Sequence, residues 1–372
     1  MSETNYPHLY SPGEISGHQI SNRFVTAPMT RVSADPDGTP NEPMIDYYKA
    51  YATGGFGMVI SEGTYTDTVH AQGYQNQPGI ANDRHIAGWR PIVDAVKGEG
   101  AVFIQQLIHA GGMIQRTASS AGAIAPSAVR PKGEMRDIYY GEGPFDIPAE
   151  MDQQKIDETI AYFAAAADRA IAAGFDGVEI HGANGYIVDQ FLTSYTNQRT
   201  DKYGGAIENR VRFAREVLRA VRDAVAGRGI VGIRISQTKG NDFDYTWEGG
   251  VEDAKVIFGG LAEEQPDYIH ISTHKGLETV FGTDRNLADF AKEISGGTVI
   301  ACGALNEPDR AEGILSRGEA DFAAMAKGAL ADPALPKKIA AGEPPIPFDR
   351  DMTSPRATIQ NTAAWREANL SG

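Results

Sequence analysis

Short apolar runs alternate with amphipathic stretches eight times along this chain, and that strict alternation limits its fold more than any other feature. The runs cover residues 23–28, 57–61, 101–107, 177–180, 230–235, 268–272, 298–301 and 321–325. They are rich in Val and Ile or apolar throughout, as strands covered on both faces are. Helical patterns fill the gaps. In 152–173, Ile156, Ile160, Phe163 and Ala167 share one stripe, with Asp152 as N-cap and Gly174 as C-terminal stop. Residues 206–226 repeat the theme with Ile207, Val211, Ala214, Leu218 and Val221, and 251–264 carry Ala254, Ile257, Phe258 and Leu261. Shorter helices fit 42–52, 83–97, 284–294, 307–317 and 335–341.

Eight strand–helix units predict parallel strands joined by helical crossovers. An open doubly wound sheet is the rival. The count of eight and the lack of a glycine fingerprint after the first strand favour a closed α/β barrel, the (β/α)8 TIM barrel. A chain of 372 residues could hold two domains by length alone. Single barrels with long loops also reach this size, so one domain over 1–372 is expected. Residues 109–150, rich in Gly, Pro and Ser, read as a long loop after the third strand that forms a lid or substrate wall. Residues 349–372 read as an irregular tail.

The net charge of −15 and pI near 5.0 disfavour nucleic acid as a partner. No secretory signal and no apolar run able to span a bilayer are visible, so no membrane partner is expected. The single cysteine, Cys302, rules out an intramolecular disulfide and fits a reducing, cytoplasmic setting.

In such a barrel, reactive side chains sit just past the C-terminal ends of the strands. The ends supply Pro28, Met29, Thr30 and Arg31; Glu62, Gly63 and Thr64; Gln105, Gln106, Ile108 and His109; His181, Asn184 and Tyr186; Arg234 and Ser236; Cys302 and Gly303; Ala326 and Lys327. His181 and Asn184 lie three apart where a helix is expected to begin, so both can offer donors to one anion or carbonyl oxygen. Tyr186 is a phenol that stays protonated at neutral pH and can donate to a carbanion-like centre. Each alone reads best as a cap or a packed ring; the three together at one strand end do not. An arginine at position 234 aimed into the mouth needs an anionic partner, either a nearby carboxylate or a ligand. Gly303 allows close backbone approach and Lys327 adds charge where such barrels bind phosphate. Cys302 reads as a small buried residue. His109, His181 and Glu62 lack the company a metal site needs, so no metal is expected.

Several strings resemble the old yellow enzyme family: NRFVTAPMTR from Asn22, GGFGMVISEGTY from Gly54, QLIHAGG from Gln106 and, most specific, EIHGANGYIVDQFLTSYTNQRTDKYGGAIENRVRFAREVL from Glu179. The resemblance runs in register from about Leu9 to Ile339. It implies an FMN-dependent ene-reductase that takes reducing equivalents from NADPH or NADH and passes them to an enone or quinone. His181 and Asn184 would bind the ligand oxygen and Tyr186 would give the proton. Ala27, Pro28, Met29 and Gly63 would line the flavin ring, with Thr30 near its C4 carbonyl. Gln106 would bond the pyrimidine edge, and Arg234 would lie near N1. Gly303, Ala326 and Lys327 would hold the phosphate. Ile108 and Tyr65 would join the substrate wall.

Three positions depart from the family's habit. Lys327 stands where arginine is usual and loses the bidentate fork. Ile108 replaces a common tryptophan and opens the pocket. The tail lacks the usual aromatic ending. Two other readings compete: a same-fold FMN enzyme that cleaves amines or ethers or isomerises without net redox change, and a flavin- or steroid-binding protein without catalysis.

Overall fold

In a computed structural model that describes residues 5–117, 119, 121–274 and 277–370, the eight apolar runs form eight strands. They are β1 (Phe24–Thr26), β2 (Met58–Ile60), β3 (Val102–Ile108), β4 (Gly177–Asn184), β5 (Ile230–Lys239), β6 (Tyr268–Ser272), β7 (Val299–Cys302) and β8 (Phe322–Met325). Each pairs in parallel with the next, and β8 pairs with β1, so the sheet closes into the (β/α)8 barrel. Closure excludes the open doubly wound alternative.

Alternation along the strands divides the core in two. Phe24, Val59, Phe103, Val178, Ile180, Ile233 and Ile271 point outward into the layer beneath the helices. Val25, Met58, Ile60, Val102, Ile104, Ile230, Ile300 and Phe322 point inward and fill the barrel. A hairpin of Gly13–Ile15 and His18–Ile20 closes the N-terminal end, since Ile15 and Ile20 join that inner cluster. On β4, β5 and β6 the inward positions turn polar: Glu179 and His181, Arg234, then His270. The interior is therefore apolar at the bottom and charged toward the top.

The helices include α1 (Glu42–Thr53), α2 (Asp83–Gly98), α3 (Gln153–Ala173), α4 (Arg212–Val225), α5 (Val251–Glu263), α6 (Leu287–Ser295), α7 (Pro308–Ser316) and α8 (Leu335–Ala341). The Asp152 side chain caps α3 by accepting from Lys155 N–H, and Gly174, at φ +103°, ends it. Two boundaries differ from expectation. The stretch 206–226 divides into Ile207–Arg210 and α4. The helix expected from 284 starts at Leu287, because Asn286 supplies the cap.

The tail is a larger correction. Residues 349–372 are not irregular: they hold a turn at Arg350–Met352 and helix α9 (Ile359–Leu370), with 371 and 372 outside the described residues. Only Thr362 of α9 is buried, so no apolar stripe marks the helix in the sequence. Polar contacts hold it instead. The buried Arg31 donates to Thr358 O and Thr362 Oγ1, and Arg366 donates to Leu330 O at 2.6 Å. The long loop 109–150 (apart from 118 and 120, outside the described residues) carries a two-stranded parallel ribbon, Ile124–Ala125 with Ala149–Glu150. Among the described residues no helix is long and apolar enough to cross a membrane.

Candidate active site at the barrel mouth

Strand register sets the site. His181, Arg234 and His270 are direct partners across β4, β5 and β6, one row inside the barrel. One step below, Gln106, Glu179, Gly232 and Tyr268 form a second row across β3 to β6. Cross-strand partners on one face have Cβ atoms within about 5.5 Å, so these side chains must interact.

His181 and Asn184 both belong to β4, which runs four residues past its expected end; the expected helix start lies further on, at Ile187. Asn184 has φ +60°, a left-handed turn that bends the chain out of the strand. Its N–H donates to Ser236 Oγ at 2.8 Å and its carbonyl accepts from Gly240 N–H at 3.0 Å. Behind this corner, a buried ion pair of Asp189 and Lys239 ties the loop to β5, and Asp189 accepts Gly185 N–H at 2.7 Å. Neither partner was visible as a site residue in the sequence.

The His181 imidazole is 5% exposed. Burial, the Arg234 guanidinium and His270 hold its pKa well below the ordinary histidine value, so the ring is neutral. Its Nδ1 accepts from Ala183 N–H at 3.4 Å, which leaves the proton on Nε2 as a donor to the mouth. The Tyr186 ring stands edge-on to His181, 4.8 Å between centroids. Burial pushes the Tyr186 phenol up to about 12, so it stays protonated. Its hydroxyl meets that of Tyr74, a buried residue from the loop after β2 that sequence reasoning missed.

Arg234 is 6% exposed and donates through Nη2 to Cys302 Sγ at 3.6 Å, while its Nε finds no partner among the described residues. The inward Glu179 is the carboxylate nearest in the row below. Gln106 donates through Nε2 to Glu179 Oε1 at 2.7 Å. Ala27 lines the barrel interior, and Pro28, Met29 and Thr30 are half-buried at the rim. Gly63 lies under Ile108, whose methyl would be 3.1 Å from a Cβ there. Gly303 has φ +135°, open only to glycine, at the end of β7. Ala326 is half-buried, and Lys327 is exposed with its ammonium 5.6 Å from the Phe348 ring.

Tyr65 is not brought to this group. It is 3% exposed, donates to Asp37 O at 2.8 Å and packs against His85. His109 also turns aside, its Nδ1 accepting Gly111 N–H and its Nε2 3.8 Å from Asp67. Among the described residues no group of three or more His, Cys, Asp or Glu is placed to hold a metal. Glu62 is enclosed near the mouth, accepting from Arg31 N–H at 2.7 Å and from the Tyr48 hydroxyl at 3.2 Å. Burial raises its carboxyl to about 7.

The residues fit a flat, anionic, hydrogen-bonding cofactor such as FMN. An arginine with an unpaired buried Nε, an amide on the same face and a neutral imidazole donor converge where a polar ring would satisfy them.

Residues 8–345 match the NADH:flavin oxidoreductase / NADH oxidase family. A relative described as NADH oxidase, from Thermoanaerobacter brockii, is 35% identical over 91% of this chain, which spans 52% of that protein's length. Another, described as a probable flavin mononucleotide-dependent alkene reductase from Leishmania infantum, is 35% identical over 90% of this chain and 91% of its own. The solved structure of the old yellow enzyme homologue from Zymomonas mobilis superposes with a TM-score of 0.85 at 28% identity, covering 95% of this chain and 99% of that one. The chain spans about half the length of the first of these relatives and nearly all of the other two. With a closed barrel, an in-register mouth and a match over most of its length, this chain belongs to the NADH:flavin oxidoreductase / NADH oxidase family, that of the old yellow enzymes.

Proposed function

We propose that this chain is an FMN-dependent NAD(P)H oxidoreductase that reduces the C=C bond of activated alkenes (α,β-unsaturated carbonyls, maleimides and nitroalkenes) and quinones. The observation that carries this reading is a neutral imidazole donor and a protonated phenol, ring centroids 4.8 Å apart, beside a buried arginine. FMN, when bound, supplies the two-electron carrier between the reduced nicotinamide and the alkene.

Ala27, Pro28, Met29 and Gly63 would line its ring, with Thr30 at the edge, and Gln106 and Arg234 would bond its pyrimidine end. Gly303, Ala326 and Lys327 would hold the phosphate. His181, through Nε2–H, and Asn184 bind the activating oxygen of the substrate and draw electron density from the double bond. Tyr186 gives its proton to the α-carbon. Ile108, smaller than an aromatic ring, leaves room in the substrate wall. The relatives described as NADH oxidase and alkene reductase support the two halves of this reaction. A cytoplasmic setting suits the single buried thiol.

The test is anaerobic. Protein reconstituted with FMN is mixed with NADH or NADPH, then with an enone, a maleimide, a nitroalkene and a quinone. Saturated product from the alkenes is expected. Consumption of the reduced nicotinamide without any alkene reduction would overturn the reading, as would a preference for FAD over FMN.

A further inference from the structure

Glu179 lies beneath the mouth, two residues before His181 on the same inward face of β4, and the reaction proposed above gives it no task. It is fully buried. Its carboxylate accepts three hydrogen bonds: from Gln106 Nε2 at 2.7 Å, from the Tyr268 hydroxyl at 3.0 Å and from His270 Nδ1 at 2.8 Å. The Tyr268 contact is built into the backbone. Tyr268 is the register partner of Gly232, and a Cβ at 232 would fall 2.1 Å from the Tyr268 ring. Only glycine there lets the phenol lie across β5 and reach Glu179. Burial works against the charge on Glu179, but His270, Arg234 and Gln106 outweigh it and hold the carboxyl below its ordinary range.

An ionised carboxylate only accepts. The Gln106 amide must therefore turn Nε2 toward Glu179, which leaves Oε1 and the second N–H for whatever occupies the mouth. A glutamine without such a neighbour could present either end.

We propose that Glu179 is a positioning residue that locks the Gln106 amide one way round, so that Gln106 offers the bound cofactor a carbonyl acceptor and thereby selects a ring carrying an imide N–H. The proposal rests on the FMN reading above. The flavin pyrimidine has such an N–H, at N3, between two carbonyls. A fixed Oε1 accepts it while the remaining N–H of Gln106 serves a neighbouring carbonyl.

The probes are FMN and FMN methylated at N3, titrated into apoprotein and followed by flavin fluorescence. The parent should bind FMN about tenfold more tightly than its N3-methyl form, the worth of one ordinary hydrogen bond. Glu179→Leu, which removes the acceptor, should bring that ratio close to one. Glu179→Gln, whose own amide can turn either end to Gln106, should lower it as well and serves if the leucine variant does not fold. Tyr268→Phe removes a different bond to Glu179 and should keep the parent's ratio. Melting of each apoprotein separates folding from recognition. The proposal is overturned if both Glu179 variants discriminate as the parent does, if the parent does not discriminate, or if Tyr268→Phe changes the ratio equally. A parent that binds neither flavin overturns the FMN reading itself.

Discussion

The phenol of Tyr186 stands edge-on to the His181 imidazole at 62° and touches the hydroxyl of Tyr74. The phenol proposed as proton donor is thus held from two sides, by the imidazole proposed to bind the substrate oxygen and by a second phenol 112 positions earlier in the chain. Tyr186→Phe keeps the ring and removes only the hydroxyl, so packing changes little. Flavin reduction by NAD(P)H should stay near the parent rate, while reoxidation by an enone slows by roughly 10²–10⁴, the range for a lost general acid. A nitroalkene should suffer less, because its nitronate can wait for a solvent proton. Rapid mixing of the two half-reactions checks this. Slowed flavin reduction with intact enone turnover would remove Tyr186 from the role.

His181 is buried, neutral and a donor through Nε2. Phenolates should bind over the oxidised flavin with a long-wavelength charge-transfer band. His181→Ala should weaken that binding by about 10- to 100-fold, as expected for one hydrogen bond to a charged oxygen. Equal titration midpoints for parent and variant would show that the anion sits elsewhere.

Lys327 reaches solvent, near Phe348. If it serves the phosphate, Lys327→Ala should release FMN more readily, and Lys327→Arg should hold it at least as well as the parent, since the guanidinium adds a second parallel bond. The dissociation constants of the three proteins decide; identical values would assign the phosphate to other groups.

Asp189 and Lys239 form an ion pair with side chains 0% and 1% exposed. Removing one partner strands a buried charge, so Lys239→Met alone should cost about 3–5 kcal/mol in urea unfolding. Asp189→Leu combined with Lys239→Met should cost less than that single change. Because Asp189 also accepts Gly185 N–H, the single variant should lose phenolate affinity as well. A single change with no effect on the unfolding midpoint would show that the pair does not hold this corner.

Glu62 contributes to stability in the opposite sense from a salt-bridged carboxylate. Its pKa is raised from 4.5 to about 7 by burial, so the folded state binds this proton more tightly than the unfolded chain does. The contribution is full below the unfolded value and is lost as pH rises through the folded one. Across pH 4.5–7 the loss approaches about 3 kcal/mol. Glu62→Gln should remove that part of the slope, seen as a smaller fall in unfolding free energy over this window. A slope unchanged in the variant would mean that Glu62 is ionised throughout.

Where side chains are dictated by a repeat of two or 3.6 residues, the sequence was enough. The eight apolar runs, the helices with their Asp152 and Gly174 ends, and the placing of His181, Arg234 and Gln106 at strand ends all follow from local pattern. Glu179 was not singled out: the expected strand stopped at residue 180, and only its continuation to Asn184 sets Glu179 and His181 on one inward face. Other features had no local signal. Helix α9 lacks an apolar stripe and is held by Arg31, some 330 residues away, through hydrogen bonds. Tyr65 and Tyr74 come from one loop, yet only Tyr74 meets Tyr186, because Asp37 and His85 take Tyr65. The direction of the Gln106 amide depends on Glu179, and the fit of Tyr268 beside Glu179 depends on the bare backbone of Gly232. Periodicity is written into each segment, but barrel register and long-range polar pairing exist only once the sheet has closed.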